Sequence, residues 1–410
     1  MSFLRTVSTR RLLALIAGVV AVIIGGTAIA VAAGSGGPVP PRKPLARAIH
    51  SALTAPQVAG VTARVTFTNN LIDSSDIQGA DPILKGATGR VWVAKDRLRL
   101  ELQSDNGDAQ LVVNNGAFWA YDPSRKTVYE GKLPAGGAEK RAHPKHAKRD
   151  AVPSASNIQS QLNKAGGHLL ISRAVPTDLA GQPAYSVRVS PKQNGGLIGG
   201  AQLAWDAVRG VPLSIGVYAR GNSTPVLQLK ATQISYKNVS SSVFSMSPPS
   251  GAKVVKVSTP SSANSQHAKR NKHSKPVTGV GAVAKRLSFR LSAPGALASR
   301  RRQDVASLGA KRADGALISY GNGLGGILVL EQSAKSAARA GSASNASQSS
   351  QSDSGDRQGV TLPTTSINGA TAQELKTPLG TLIRFTRAGV TYTVIGSVPA
   401  STAEAAARSL

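Results

Sequence analysis

The segment Leu203-Ala-Trp-Asp-Ala-Val-Arg-Gly-Val-Pro212 decides the fold that this sequence predicts. Apolar side chains occupy every second position of residues 201–205, which is the spacing of a strand with one buried face. Asp206 begins a turn that Gly210 closes, and residues 213–217 alternate again. The segment therefore predicts an antiparallel hairpin, with Asp206 as a turn residue.

Similar alternation recurs along the first 256 residues. It is found in residues 61–68, 97–103, 111–121, 185–190 and 227–232. We expect an antiparallel sheet with one apolar and one wet face. Apolar residues at helical spacing predict short helices at Leu45–Leu53 and Ile158–Ala165. The predicted class is therefore α+β.

Charge and composition restrict the classes of partner. The chain of 410 residues has 49 Lys and Arg against 20 Asp and Glu, a net charge of +29, which favours anionic surfaces such as a membrane or a wall polymer. Aromatic residues make up only 4%, too few for the stacking that single-stranded nucleic acid needs, so no nucleic-acid partner is predicted. The absence of cysteine excludes disulfides, a thiol nucleophile and thiolate metal sites.

Residues 1–33 have the pattern of a targeting segment. A basic start is followed by the uncharged, mostly apolar run Leu12–Ala33, whose 22 residues can span a bilayer. We expect an uncleaved anchor, hence a single-pass protein of the cell membrane with exported C-terminal domains. Cleavage near Ala28-Ile-Ala30, which would give a secreted protein, is the alternative.

Composition divides the remaining chain. Residues 34–44 and 257–276 are expected to be linkers on either side of a domain at 45–256. A smaller α+β domain is predicted at 277–410, with a disordered Ser/Ala/Gln insert at 333–356. Within it, alternation predicts a strand at Leu287–Leu291.

Catalytic and metal-binding motifs are not found. Gly321–Gly326 precedes a strand-like run, so it indicates a turn between strands and not a nucleotide loop. Four histidines lie in basic segments: His143, His146, His267 and His273. No fixed geometry brings them together as metal ligands. The sequence thus predicts a protein that is not an enzyme, with no catalytic residue, no cofactor and no metal.

The 45–256 region resembles the LolA/LppX-like superfamily of envelope lipoprotein carriers, including its RseB-like branch. The matching residues occur in the expected order: Gly89-Arg-Val-Trp92, Arg97-Leu-Arg-Leu-Glu101, Gly116, Trp119, Tyr121-Asp122, Trp205-Asp206, Gly210, Pro212, Phe244, Pro248 and Gly251. The 277–410 region is similar in organisation to the C-terminal domains of RseB-like proteins, through Leu379-Gly-Thr381, Gly389-Val-Thr-Tyr392 and Gly396-Ser-Val398.

This resemblance implies a curved half-barrel whose apolar face, covered by short helices, binds acyl chains. A core filled by the helices, without a ligand site, is the competing interpretation. If a site exists, alternation selects its wall positions: Val65, Phe67, Leu100, Leu102, Leu203, Trp205, Ile215 and Leu229.

Three hypotheses for function follow. The first is a tethered protein that holds acyl chains of a lipid or lipoprotein. The second is an RseB-like envelope-stress regulator that binds an anti-sigma partner or another membrane protein. The third is a basic adhesion module for anionic lipid or wall polymer, driven by the charge of +29.

Overall fold

The computed structural model describes residues 39–71, 86–103, 108–123, 126–133, 152–193, 196–257, 277–308, 315–343 and 362–410. The predicted anchor at 1–33 lies outside these ranges, as do His143, His146, His267 and His273. Within them, no helix has the length and hydropathy that a bilayer crossing requires.

Thirteen strands form the first sheet. They are β1 (Val61–Asn69), β2 (Ala87–Ala94), β3 (Arg97–Gln103), β4 (Ala109–Asn114), β5 (Ala117–Asp122), β6 (Thr127–Lys132), β7 (Leu169–Ile171), β8 (Val175–Leu179), β9 (Gln182–Pro191), β10 (Ile198–Asp206), β11 (Pro212–Ala219), β12 (Pro225–Ser235) and β13 (Lys253–Val257). Their order is β13-β6-β5-β4-β3-β2-β1-β12-β11-β10-β9-β7, and β8 also pairs with β9. All pairs are antiparallel except β13 with β6.

Two helices accompany this sheet, α1 (Leu45–Leu53) and α2 (Ala155–Ala165). The structure confirms the predicted helix at 45–53 and begins the second one three residues earlier than predicted. Ser154 explains that earlier start, because its hydroxyl accepts a hydrogen bond from the Asn157 amide and so caps the helix.

The predicted hairpin is present as β10 and β11, and Asp206 is its turn residue. The carboxylate is fully buried, and its Oδ1 accepts hydrogen bonds from the amides of Val208 (2.8 Å) and Arg209 (2.7 Å). Its Oδ2 accepts a 2.6 Å bond from the hydroxyl of Tyr236, just beyond β12. Burial, together with this carboxylate, raises the pKa of Tyr236. Asp206 therefore stabilises the turn and fixes a strand neighbour at the same time.

Gly210 allows helix α1 to reach this turn. Its φ is +67°, and a Cβ placed on it would lie 2.3 Å from the carbonyl oxygen of Ala52 in α1. Only glycine permits both the left-handed backbone and this close approach.

Eight further strands form the second sheet. They are β14 (Ala296–Leu297), β15 (Arg300–Leu308), β16 (Gly315–Tyr320), β17 (Ile327–Ser333), β18 (Thr364–Ile367), β19 (Ala370–Thr377), β20 (Gly380–Arg387) and β21 (Val390–Gly396). Their order is β14-β15-β16-β17-β21-β20-β19-β18. Helices α3 (Val280–Ala284), α4 (Ala334–Ala343) and α5 (Ala400–Arg408) belong to this part. The buried alanines Ala403, Ala406 and Ala407 of α5 pack on one sheet face.

Two segments of this part differ from expectation. Leu287–Leu291 was predicted as a strand, and this is wrong: Leu287, Phe289 and Leu291 do pack against the core, but the segment pairs with no strand among the described residues. Alternation indicates only that one face of a segment is buried. A strand also needs a neighbouring strand with which it forms backbone hydrogen bonds. The segment expected to be disordered includes α4, which Ser333 caps by accepting a hydrogen bond from the Ser336 amide; positions 344–361 lie outside the described ranges.

The α+β class is confirmed, with a large first sheet, a second antiparallel sheet that curls into a half-barrel, and few helices. Thirteen strands cannot stay flat, since strongly twisted sheets curl beyond about ten strands. Ser397, directly after β21, contacts the first sheet: the Leu197 amide donates to its carbonyl and hydroxyl oxygens, both at 2.9 Å, and the Ile198 amide donates to its hydroxyl at 3.2 Å.

Glu331 is the most unusual buried group of the second sheet. Its Oε2 accepts a hydrogen bond from the Ser292 amide at 3.0 Å, whereas its Oε1 has no partner among the described residues. Burial raises the pKa of Glu331 to about 7. The groups around it are the buried Tyr320, whose hydroxyl also lacks a partner, Tyr392 directly across the ladder, and Arg302 beside Tyr320. The carboxylate form is therefore disfavoured in the folded state.

We predict that Gly210→Ala destabilises the first sheet much more than Gly221→Ala. Both glycines have positive φ, but a Cβ at Gly221 meets nothing within 4 Å. The control should therefore cost only about 1–2 kcal/mol, and Gly210→Ala at least twice that, because it also displaces α1. Urea unfolding followed by tryptophan fluorescence measures this directly, since all three tryptophans lie in the first sheet. Equal losses would contradict the close approach.

We also predict that Glu331→Gln removes a pH dependence from the second sheet. The folded pKa of about 7 lies above the ordinary 4.5, so the folded state holds the proton more tightly. Its stabilising contribution is complete below pH 4.5 and is lost as the pH rises to about 7, by on the order of 3 kcal/mol. The variant should be more stable at pH 8 and nearly unchanged at pH 4.

The second sheet contains no tryptophan, so its unfolding has to be followed by another method. Calorimetry of the full chain at a series of pH values measures it. Glu404→Gln on α5 is the control, since Glu404 is only partly buried and pairs with Arg408 at 2.8 Å, and it should leave the pH dependence in place. An unchanged slope in Glu331→Gln would contradict the assignment.

Candidate functional site: an apolar strip on the first sheet

The register of the central strands places four predicted wall residues in one row. Phe67 on β1 is opposite Leu229 on β12, Leu229 is opposite Ile215 on β11, and Ile215 is opposite Leu203 on β10. Paired residues point to the same side of a sheet. The row crosses three inter-strand spacings of about 4.8 Å, so it extends roughly 14 Å across the sheet.

All four residues of this row are only partly buried. The other four predicted positions are closed: Val65, Leu100, Leu102 and Trp205 are each 3–6% exposed. The structure thus divides the eight predicted residues into a partly open row and a packed set. The difference decides which of them a ligand could reach without rearrangement of the sheet.

A second row lies beside the first, and its residues are not among the eight predicted wall positions. Leu227 is opposite Val217, and Val217 is opposite Ala201; the first two are partly buried and Ala201 is exposed. Both runs alternate in the sequence, so the signal was present, but only the pairing of β10, β11 and β12 brings them side by side. We call Phe67, Leu229, Ile215, Leu203, Leu227 and Val217 the open strip.

Packed clusters border the open strip: Phe67 and Leu229 contact one of them, and Leu203 contacts the other. The cluster on one side includes Val65, Leu98, Leu100 and Leu102. Its described members all lie on strands, apart from Ala180 in the turn between β8 and β9. On the other side, Tyr185, Val187 and Trp205 pack against α1 through Ala48. The helices expected to lie across the apolar face therefore contact it at the β9–β10 end.

The sequence of α1 explains why it contacts the sheet only at the β9–β10 end. Leu45, Ala48, Ile49 and Ala52 form one narrow apolar face, which packs against the β9–β10 cluster. Helix α2 buries only Ile158, and it is linked to α1 where His50 Nδ1 lies 2.9 Å from the Pro153 carbonyl oxygen. Neither helix has a second apolar face with which to cover the open strip.

Trp205 places an unsatisfied donor next to the strip. Its ring is buried, 6.1 Å from the ring of Tyr185, and its indole Nε1–H has no acceptor among the described residues. Tyr185 differs, because its hydroxyl donates to the Pro41 carbonyl, and burial raises its pKa. An unpaired buried N–H costs about 1–3 kcal/mol, so a ligand oxygen that accepted from it would be favoured.

Charge is segregated from the open strip. Arg64 and Arg90 are exposed and directly opposite one another on the other face of the sheet, and Lys230 lies on that face as well. The six strip residues are aliphatic or aromatic hydrocarbons without an ionisable group. In the part of the chain that the structure describes, no three His, Asp or Glu residues come together as metal ligands would. The strip can therefore bind hydrocarbon and offers no group for acid–base chemistry.

Comparisons with known proteins give structural likeness alone. No family model and no curated protein matches the chain. Among solved structures, the complex of MucA and MucB from Pseudomonas aeruginosa is similar with 15% identity and a TM-score of 0.37, covering 88% of this chain and 94% of that one. A LolA superfamily protein from Nitrosomonas europaea is similar with 10% identity and a TM-score of 0.20, covering 50% of this chain and 98% of that one.

A conserved protein from Thermus thermophilus is similar with 11% identity and a TM-score of 0.31, covering 52% of this chain and 97% of that one. These structures include the LolA and RseB-like proteins that the sequence resembles. Their TM-scores are all below 0.5, so these likenesses say nothing about a ligand or a partner of this chain.

Proposed function

We propose that this protein binds the acyl chains of a lipid or lipoprotein along the open strip of the first sheet. The observation that carries this proposal is the row Phe67–Leu229–Ile215–Leu203, which stays partly exposed between two packed clusters on one continuous apolar face. A hydrocarbon chain laid along this row would remove the exposed part of the four side chains from water.

The energetics favour a hydrocarbon ligand. Each methylene group that leaves water for an apolar surface contributes about 0.8 kcal/mol, and the two rows offer several such contacts. The elongated shape of the strip suits a chain better than a compact molecule. Next to the strip, the buried indole N–H of Trp205 would favour an ester or carboxyl oxygen as the polar end of the ligand, which a movement of α1 away from the ring has to admit.

We further propose that the protein acts outside the cytoplasm, at the outer surface of the cytoplasmic membrane. The targeting segment at 1–33 supports this location. If the segment is retained as an anchor, the protein presents or senses lipid locally and does not ferry it. Sequencing the N-terminus of the mature protein distinguishes retention from cleavage.

Native mass spectrometry of the gently purified full chain tests the proposal. We expect co-purified lipid, and we expect added fatty acid to displace a fluorescent fatty acid from the protein. Absence of both would contradict the function.

We predict that Ile215→Asn weakens fatty-acid binding about tenfold or more, because it places an amide in the middle of the strip. Ile215 is only partly buried, so the sheet should remain folded. Val254→Asn is the matched control, since Val254 is an exposed aliphatic residue on β13 of the same sheet. Equal affinity in the two variants would show that the ligand lies elsewhere.

We predict that Trp205→Phe weakens binding of a fatty acid more than binding of an alkane of equal length. The substitution keeps an aromatic ring beside Tyr185 but removes the unpaired N–H. The loss for the fatty acid should be about fivefold to tenfold, the value of one hydrogen bond. The ratio of the two affinities, measured in wild type and variant, separates this effect from lost packing.

A second function, lipid-dependent control of a protein partner, is favoured by one contact. Ser397 of the second sheet accepts hydrogen bonds from Leu197 and Ile198, where the strand that carries Leu203 begins. Occupation of the strip can therefore affect the attachment of the second sheet. The partner that we propose is an anti-sigma factor or another membrane protein, as the RseB-like resemblance of the sequence implies. A membrane-protein pull-down whose yield is the same with and without fatty acid would contradict this function.

A further inference from the structure

The outer face of the second sheet carries an unusual concentration of exposed leucines. Of the twelve exposed large hydrophobic side chains in the described ranges, three lie on the single hairpin β16–β17: Leu317 (37%), Leu324 (52%) and Leu328 (45%). Their strand neighbours Ile318, Ile327 and Val329 point into the core and are fully buried. The hairpin is therefore apolar on both faces, although α5 and the core cover only one.

Strand pairing extends this patch into a surface. Leu328 is opposite Ile395, Ile395 is opposite Leu382, and Leu382 is opposite Leu375. Strands that are apolar on both faces are normally buried on both. The row therefore indicates that something outside the described core covers this face. We call it, together with Leu317 and Leu324, the leucine face.

Positive charge is fixed around the leucine face. Arg300 donates from Nε to the carbonyl of Gly325, the residue directly after Leu324, at 2.9 Å, so its guanidinium lies at the base of the exposed tip. Arg301 is exposed next to it, and Arg384 lies on the same face one residue pair away from the leucine row. Asp304, opposite Ser319 and so in line with Leu328, is the one exposed acidic residue on β14–β17 in the described ranges, against three arginines at this face.

The turn that carries Leu324 also exposes apolar surface next to these arginines. Leu324 stands in the turn Gly321–Gly326, with glycine on both sides and more than half of its side chain exposed. An exposed leucine on a glycine-flanked turn, with arginines beside it, fits a surface that presents hydrocarbon and negative charge together, as an anionic bilayer does. A peptide partner would be better matched by a groove. We propose that the leucine face docks on a bilayer that contains anionic phospholipid, with Leu324 inserted among the acyl chains.

Site-specific labelling tests this proposal cleanly, because the chain contains no cysteine. Leu324→Cys in the full-length protein is labelled with a polarity-sensitive fluorophore and mixed with vesicles of phosphatidylcholine plus phosphatidylglycerol. We expect a blue-shifted emission that doxyl-labelled lipid quenches. Leu170→Cys on β7 is the matched control, since Leu170 is similarly exposed (56%), and its label should stay in water.

Charge variants complete the test. Arg301→Gln should reduce vesicle binding about fivefold, the effect of one basic residue at an anionic surface, whereas Arg64→Gln on the first sheet should not. Labelling at Leu328→Cys gives a second readout in case the turn is sensitive to the fluorophore. The proposal is overturned if the label at 324 remains in water, as it would with a protein partner, or if vesicles of phosphatidylcholine alone give the same shift.

Discussion

The buried carboxylate of Asp206 is the constraint on which the first sheet depends. It binds two amides of its own turn and the hydroxyl of Tyr236, so it sets the register between β10 and β11 and fixes the end of β12. The guanidinium of Arg209 lies 4.3 Å from the Tyr236 ring and encloses the group further. A buried charge needs this many partners to be tolerated. Because the rows of the open strip exist only in this register, the candidate ligand site depends on a side chain that no ligand touches.

The two apolar surfaces of the molecule differ in what surrounds them. The open strip lies between packed clusters, away from Arg64 and Arg90, which occupy the opposite side of the sheet. The leucine face is bordered by Arg300 and Arg384. A site that is shielded from charge suits the hydrocarbon part of a molecule. A surface with charge at its rim suits an assembly that presents hydrocarbon and phosphate together.

Alternation along single segments was enough to predict most strands of the first sheet, the helix Leu45–Leu53 and the turn at Asp206. It could not show that Phe67 and Leu203 stay partly open while Leu102 closes, because exposure depends on which distant strands pair and on how far α1 reaches. The irregular register between Arg64 and Val65 is likewise set by β12 and not by local sequence. Leu287–Leu291 shows the limit of the method, since Leu287, Phe289 and Leu291 pack against the core without a neighbouring strand among the described residues.

The Ser397 contact has a mechanical consequence. The chain leaves the first sheet from β13, at one edge, whereas Ser397 holds the second sheet at β10, close to the other edge. The second sheet is thus attached to the first twice, once covalently and once by hydrogen bonds, at points separated by most of the strand order. Any change in the curl of the first sheet alters the distance between these points. Of the two attachments, only the hydrogen bonds of Ser397 can open without breaking the chain.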